Sequence, residues 1–136
     1  MKTLEECLFD YLTAVPAIAA IIGPRAWLFQ DFFMQNQQLP AVAYALENDQ
    51  SYETQQGPSA LRRALYHFGI FAETADAAMR LAEAIRQALD GYKGSMGDRD
   101  YIVTLFDGMH RTRDPETMAF IVDTRFLIFY QQPKTQ

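Results

Sequence analysis

The chain has 136 residues, 49% hydrophobic and 21% charged, with 17 acidic against 12 basic side chains and a formal charge of -5. A chain of this size buries roughly two-thirds of the surface that its unfolded form exposes, so one core holds without staples, and disordered and fibrous classes are excluded. The charge is the wrong sign for gripping phosphate backbones, the single cysteine, Cys7, excludes an internal disulfide, and no apolar run reaches the roughly 18 residues that cross a bilayer.

In chain order, Thr3-Leu4-Glu5-Glu6 reads as a capping box that opens a helix, with Leu4, Leu8, Tyr11, Leu12 and Val15 as its apolar stripe and Cys7 beside it as core. Pro16 ends or re-aims that helix. Residues 16–22 fit a second short turn of helix, and Gly23-Pro24-Arg25 a turn. Residues 26–38 follow neither period and read as mostly irregular. Residues 39–47 form a strand with Val42, Tyr44 and Leu46 on one face, and the polar stretch 48–59 reads as a long hairpin excursion.

Residues 62–72 alternate, with Tyr66, Phe68 and Ile70 on one face and Arg63, Leu65, His67 and Phe71 on the other, which predicts a second strand. Thr74 caps the next helix, whose stripe runs from Ala78 through Leu81, Ala82 and Ile85 to Leu89, and Gly91 stops it. Residues 94–100 read as a loop. Residues 101–109 and 117–130 are strands joined through the turn Arg113-Asp114-Pro115-Glu116. The order predicts an α+β fold: an antiparallel sheet of about four main strands with two helices packed mainly on one face. It is a single domain over residues 1–130 with a loose tail at 131–136.

The chemistry-bearing residues are sparse. His67, mid-strand among aromatic residues, reads as a packed or interface histidine, and His110 as a solvated loop residue. No Cys/His pair has zinc spacing, Asp98 and Asp100 lack the rest of a calcium loop, and the glycine-rich stretch 91–97 follows a helix where a phosphate loop must precede one. No catalytic residue, cofactor or metal is assigned. Asp123 and Arg125 share a strand face and either pair with each other or cross an interface. The apolar surplus from Trp27 through Phe32, Phe33 and Met34 either covers the core or forms a patch for a partner, and its uncharged neighbours Gln30, Gln35, Asn36, Gln37 and Gln38 suit a protein contact. With no basic-then-apolar secretion pattern at the start, the cytoplasm is the expected compartment of synthesis.

Six segments in order resemble the tail-completion, or tail-terminator, proteins of long-tailed phages and related gene-transfer particles. They are Pro16-Ala17-Ile18 through Trp27, Leu39-Pro40-Ala41-Val42-Ala43-Tyr44, Gly57-Pro58-Ser59 into Leu61-Arg62-Arg63-Ala64, Phe71-Ala72-Glu73-Thr74, the stretch from Ala82 to Gly94, and Asp123-Thr124-Arg125-Phe126-Leu127-Ile128-Phe129-Tyr130. The resemblance implies an α+β virion subunit in a six-fold ring on the last ring of the tail tube. Such a ring stops tube growth and meets the head connector in the neck, and DNA passes through its lumen without specific binding. Its partners are further copies of itself, the tube protein and the connector. Assembly takes place in the host cytoplasm, with no membrane involved. Ring closure needs two different patches per subunit, and the candidates are Trp27, Phe32, Phe33 and Met34 on one side and the hairpin residues Tyr52, Arg62 and Arg63 on the other. The alternatives are another neck or head-completion adaptor and, in a different class, a small enzyme or ligand-binding domain that uses His67.

Overall fold

The computed structural model describes residues 3–23, 27–29, 39–54, 57–96, 99–113, 115 and 118–131. Helix α1, Leu4–Thr13, begins at the predicted cap: the Thr3 hydroxyl accepts from the Glu6 amide at 3.2 Å and donates to the Glu6 carboxylate at 3.2 Å. Its buried face is Leu4, Cys7, Leu8 and Leu12. Helix α2, Pro16–Ala19, has proline at its start and buries Ile18. Six strands and one longer helix follow: β1 Trp27–Phe29, β2 Ala41–Thr54, β3 Gly57–Ala72, α3 Ala75–Leu89, β4 Lys93–Met96, β5 Arg99–Arg113 and β6 Phe120–Gln131.

The strands make one sheet in the order β1-β2-β3-β6-β5-β4. Every neighbouring pair is antiparallel except β1 with β2, which is parallel. The α+β class therefore stands, while the described residues hold six strands and three helices where the sequence predicts about four and two. Three corrections follow, two of which add a strand and one of which lengthens β2 and β3. Residues 27–29, read as irregular, become β1 because β2 offers them a partner edge, and three residues carry no period of their own. The polar stretch after Glu47 stays in strand, since β2 and β3 remain paired through Thr54 and Gly57. The supposed loop after Gly94 pairs with β5 as β4, from Lys93 opposite Val103 to Met96 opposite Arg99. The third helix is the short α2.

All three helices bury residues in one core cluster with the same face of the sheet. Helix α3 starts at Thr74, whose hydroxyl accepts from the Ala77 amide at 3.1 Å, and packs Ala78, Leu81, Ala82, Ile85 and Leu89 against it. Its end is fastened to β5. The Thr104 hydroxyl donates to the Leu89 carbonyl, the Asp90 carboxylate accepts from the Phe106 amide at 3.1 Å, and Gly91 turns the chain at φ +76°. Tyr11 of α1 donates to the Ala88 carbonyl at 2.9 Å, so a carbonyl left over at the end of α3 is satisfied by another helix.

An aromatic row crosses five strands on this face. Trp27 meets Tyr44 at 6.1 Å between centroids, Tyr44 meets Phe68 at 6.3 Å, Phe68 meets Phe126 at 5.8 Å and Phe126 meets Phe106 at 5.7 Å. Each fully buried ring contributes about 1.5–3 kcal/mol by burial. Two bulges lie on one line across the sheet beside this row: Glu47 is the extra residue of β2 opposite Tyr66 and Leu65, and Asp107 that of β5 opposite Phe126 and Arg125. Tyr66 and Phe126 are themselves paired. Bulges add local bend and twist, so the sheet turns along this line.

Candidate subunit interface

No helix covers the other face of the sheet among the described residues. Strand alternation puts Leu65 and Leu127 opposite each other there, and Leu127 opposite Leu105, giving a row of three leucines across β3, β6 and β5. Leu105 is 43% exposed. Arg63, opposite Phe129 in the next row, is exposed, and with Asn48, Leu65, Asp107 and Leu127 it lines a shallow cavity of about 260 Å³. Apolar side chains on an uncovered sheet face, rimmed by charge, suit contact with another protein.

Beside the leucines is an ion cluster that the bulge creates. Glu47 Oε1 lies 2.8 Å from His67 Nδ1 and 3.3 Å from Arg125 Nε. His67 and Arg125 are register partners on β3 and β6. Arg125 thus finds its acid across the sheet in Glu47. His67 is a partly buried histidine on the uncovered face with a carboxylate beside it, a partner that its sequence neighbourhood does not reveal because Glu47 lies 20 residues away. His110 stands exposed in β5 opposite Asp123, within a strand where a loop was expected.

On the helix side, beyond the core, Arg62 donates from Nε to Asp49 Oδ1 at 3.0 Å, and Tyr130 donates to Asp49 Oδ2 at 2.6 Å. Burial first and then the Asp49 carboxylate push the Tyr130 phenol up to about 12. Burial pushes the Tyr66 phenol up as well, with Glu5 adding to it. A second, acidic cavity of about 510 Å³ is lined by Thr3, Glu5, Glu6, Phe9, Asp10 and Tyr44. Desolvation, followed by the charges of Glu5 and Asp10, raises the Tyr44 pKa there.

The residues singled out from sequence are dispersed. Trp27 is in the core, 7% exposed, and its indole N–H has no hydrogen-bond partner among the described residues. Phe32, Phe33 and Met34 lie outside the described residues. Tyr52 falls at an irregularity of the β2–β3 pairing, between Ser51 opposite Arg62 and Glu53 opposite Pro58. Arg62 is held by Asp49 within the chain, whereas Arg63, its neighbour on the opposite face, is exposed. Sequence reasoning missed Glu47, Asp49, Leu105 and Leu127; the alternation of 126–130 places Leu127 on the outer face, and it was the one available signal.

Among the described residues no group of three or more His, Cys, Asp or Glu side chains could hold a metal ion, and no helix is long and apolar enough to cross a membrane. Chemically, the arrangement offers hydrogen bonds, charge pairs and apolar surface. Residues 6–131 match the family described as Tail completion protein gp17. A chain of the virion of a native gene transfer agent particle shares the fold with a TM-score of 0.77, at 15% identity and over 94% of each chain. No curated protein matches the chain.

Proposed function

The chain belongs to the tail completion protein gp17 family, structural components of phage-type tails, and from that premise we propose that it forms a ring on the end of the tail tube. The ring ends tube polymerisation and supplies the joint to the head connector. The observation that carries this is the family match over residues 6–131. The fold shared with a subunit of a gene transfer agent virion supports it.

The physical chemistry agrees. A subunit with a formal charge of -5 repels phosphate, so DNA slides through the lumen and is not held by the wall. The uncovered sheet face and the long β2–β3 hairpin supply surface for contacts with neighbours in the ring, with the tube protein and with the connector. The segment holding Phe32, Phe33 and Met34, together with Tyr52, Arg62 and Arg63, remains the candidate set of interface residues. Six subunits is the ring size that the family resemblance favours. Assembly in the host cytoplasm precedes incorporation into the tail neck.

The test is the native mass of the purified chain, alone and mixed with isolated tail tubes, together with negative-stain images of the tube ends. A ring seated at one end, with tube elongation blocked, is the expected result. A chain that stays monomeric and ignores tubes overturns it. Complementation of phages lacking one neck component each separates a tube terminator from a head-completion adaptor.

A further inference from the structure

Resting on the ring reading above, we infer that adjacent copies of this chain join edge to edge, residues 48–51 of β2 in one subunit pairing antiparallel with residues 109–113 of β5 in the next. Among the described residues neither stretch has a strand partner on its outer side. Among the described residues, β1 pairs with β2 at Val42, Ala43 and Tyr44 and no further along it. On the other side, β4 and Tyr92 cover β5 as far as Thr104, and the Asp90 side chain takes the Phe106 amide. Beyond those points no described residue pairs with either edge. Between the bulge at Glu47 and the register irregularity after Ser51, and again after Gly108, the ladders are regular, so the outward N–H and C=O groups are spaced to accept another strand.

Direction and charge select a second copy as the occupant. Three successive antiparallel pairings, β2 with β3, β3 with β6 and β6 with β5, make β2 and β5 opposite in direction. Continuing the sheet into a neighbour therefore creates an antiparallel pair. The β2 edge after Tyr44 carries Glu47, Asp49 and Glu53 and no base, while residues 108–113 carry His110, Arg111 and Arg113 and no acid. On the helix side the two edges bring opposite charges to one face, Asp49 being registered with Ala64 and Arg111 with Val122.

The two edges differ and lie on opposite sides of the sheet, so the contact is head-to-tail and generates a ring and not a two-fold dimer. They also lie on opposite sides of the bulge line. Joining them shifts each neighbour along the strands, on the order of 20 Å at 3.3 Å per residue. Closing a sheet into a ring of tilted strands requires a stagger of this kind.

The experiment uses the full chain assembled on tail tubes. Asn48→Cys is mixed in turn with His110→Cys and with Thr112→Cys, all three positions being exposed and on the bare face. Cys7 is fully buried and shielded from mild oxidant. The expected result is a cross-linked dimer only in a mixture, none from any single variant alone, and a ladder up to the ring size from the double variant. Arg111→Glu should weaken ring formation at least about tenfold without moving the unfolding midpoint. Rings that form while the mixtures stay uncross-linked, single variants that dimerise with themselves, or an Arg111→Glu chain that assembles normally each overturn the edge contact and leave the ring standing. A wild-type chain that forms no ring overturns the ring reading itself.

Discussion

On the helix-covered face of the sheet Tyr66, Phe68, Ile70, Phe126 and Ile128 are fully buried, while their neighbours Leu65, His67, Arg125 and Leu127, one residue away on the same strands, remain partly or largely exposed. The period of two in β3 and β6 delivers both sets at once. What separates them is that α1, α2 and α3 pack on one side, so the first face holds the fold together and the second is left uncovered among the described residues. That second face mixes leucines with a Glu47–His67–Arg125 cluster, the apolar-and-charged composition of ordinary protein contacts.

The contrast should break most sharply at Phe126, which contacts Phe68 and Phe106 in the aromatic row. Phe126→Ala should cost about 3–5 kcal/mol in denaturant unfolding. Next comes the cluster at the end of that face, where Asp49→Asn weakens the bonds from both Arg62 and Tyr130. A loss of about 1–3 kcal/mol is expected.

The same cluster predicts a pH effect. The folded-state pKa of Tyr130 lies above its unfolded value, so its contribution is fully present below pH 10 and is lost as pH rises through about 12. Unfolding curves between pH 9 and 12 should show this loss, and Tyr130→Phe should reduce it while leaving the part due to Tyr66 and Tyr44, whose phenols are raised as well.

On the uncovered face the effects should shrink. His67→Ala removes one partner of Glu47, whose second partner Arg125 remains, so stability should fall by no more than about 1 kcal/mol. Ring assembly and infectivity should persist. A variant that folds and assembles yet abolishes infectivity would return weight to a catalytic role for His67. Leu105→Ser should change stability least, within about 0.5 kcal/mol, because the side chain is 43% exposed. A large loss there would mean that the bare face also belongs to the monomer's core.

Legibility followed the distance over which each interaction acts. The Thr3 and Thr74 caps are bonds between residues three apart, and the stripe of α3 and the alternation of β3 are local periodicities, so all of these were readable in order. The α+β class follows from them. The candidate site was much less legible. Tyr130 and Asp49 are 81 residues apart, and neither has a local reason to find the other. The bulge that swings Glu47 toward His67 is an offset between two strands, invisible in either one alone.

By itself, then, the sequence determined the helices, their caps, the alternating strands and the acidic balance, since each depends on neighbours along the chain or on composition alone. Only the tertiary structure decided that residues 27–29 and 93–96 become strands, in what order the strands lie, and, among the described residues, which sheet face is uncovered and which strand edges lack a partner. Those outcomes depend on cross-strand pairing and helix packing between distant residues, whose free energy appears only once the whole sheet has formed.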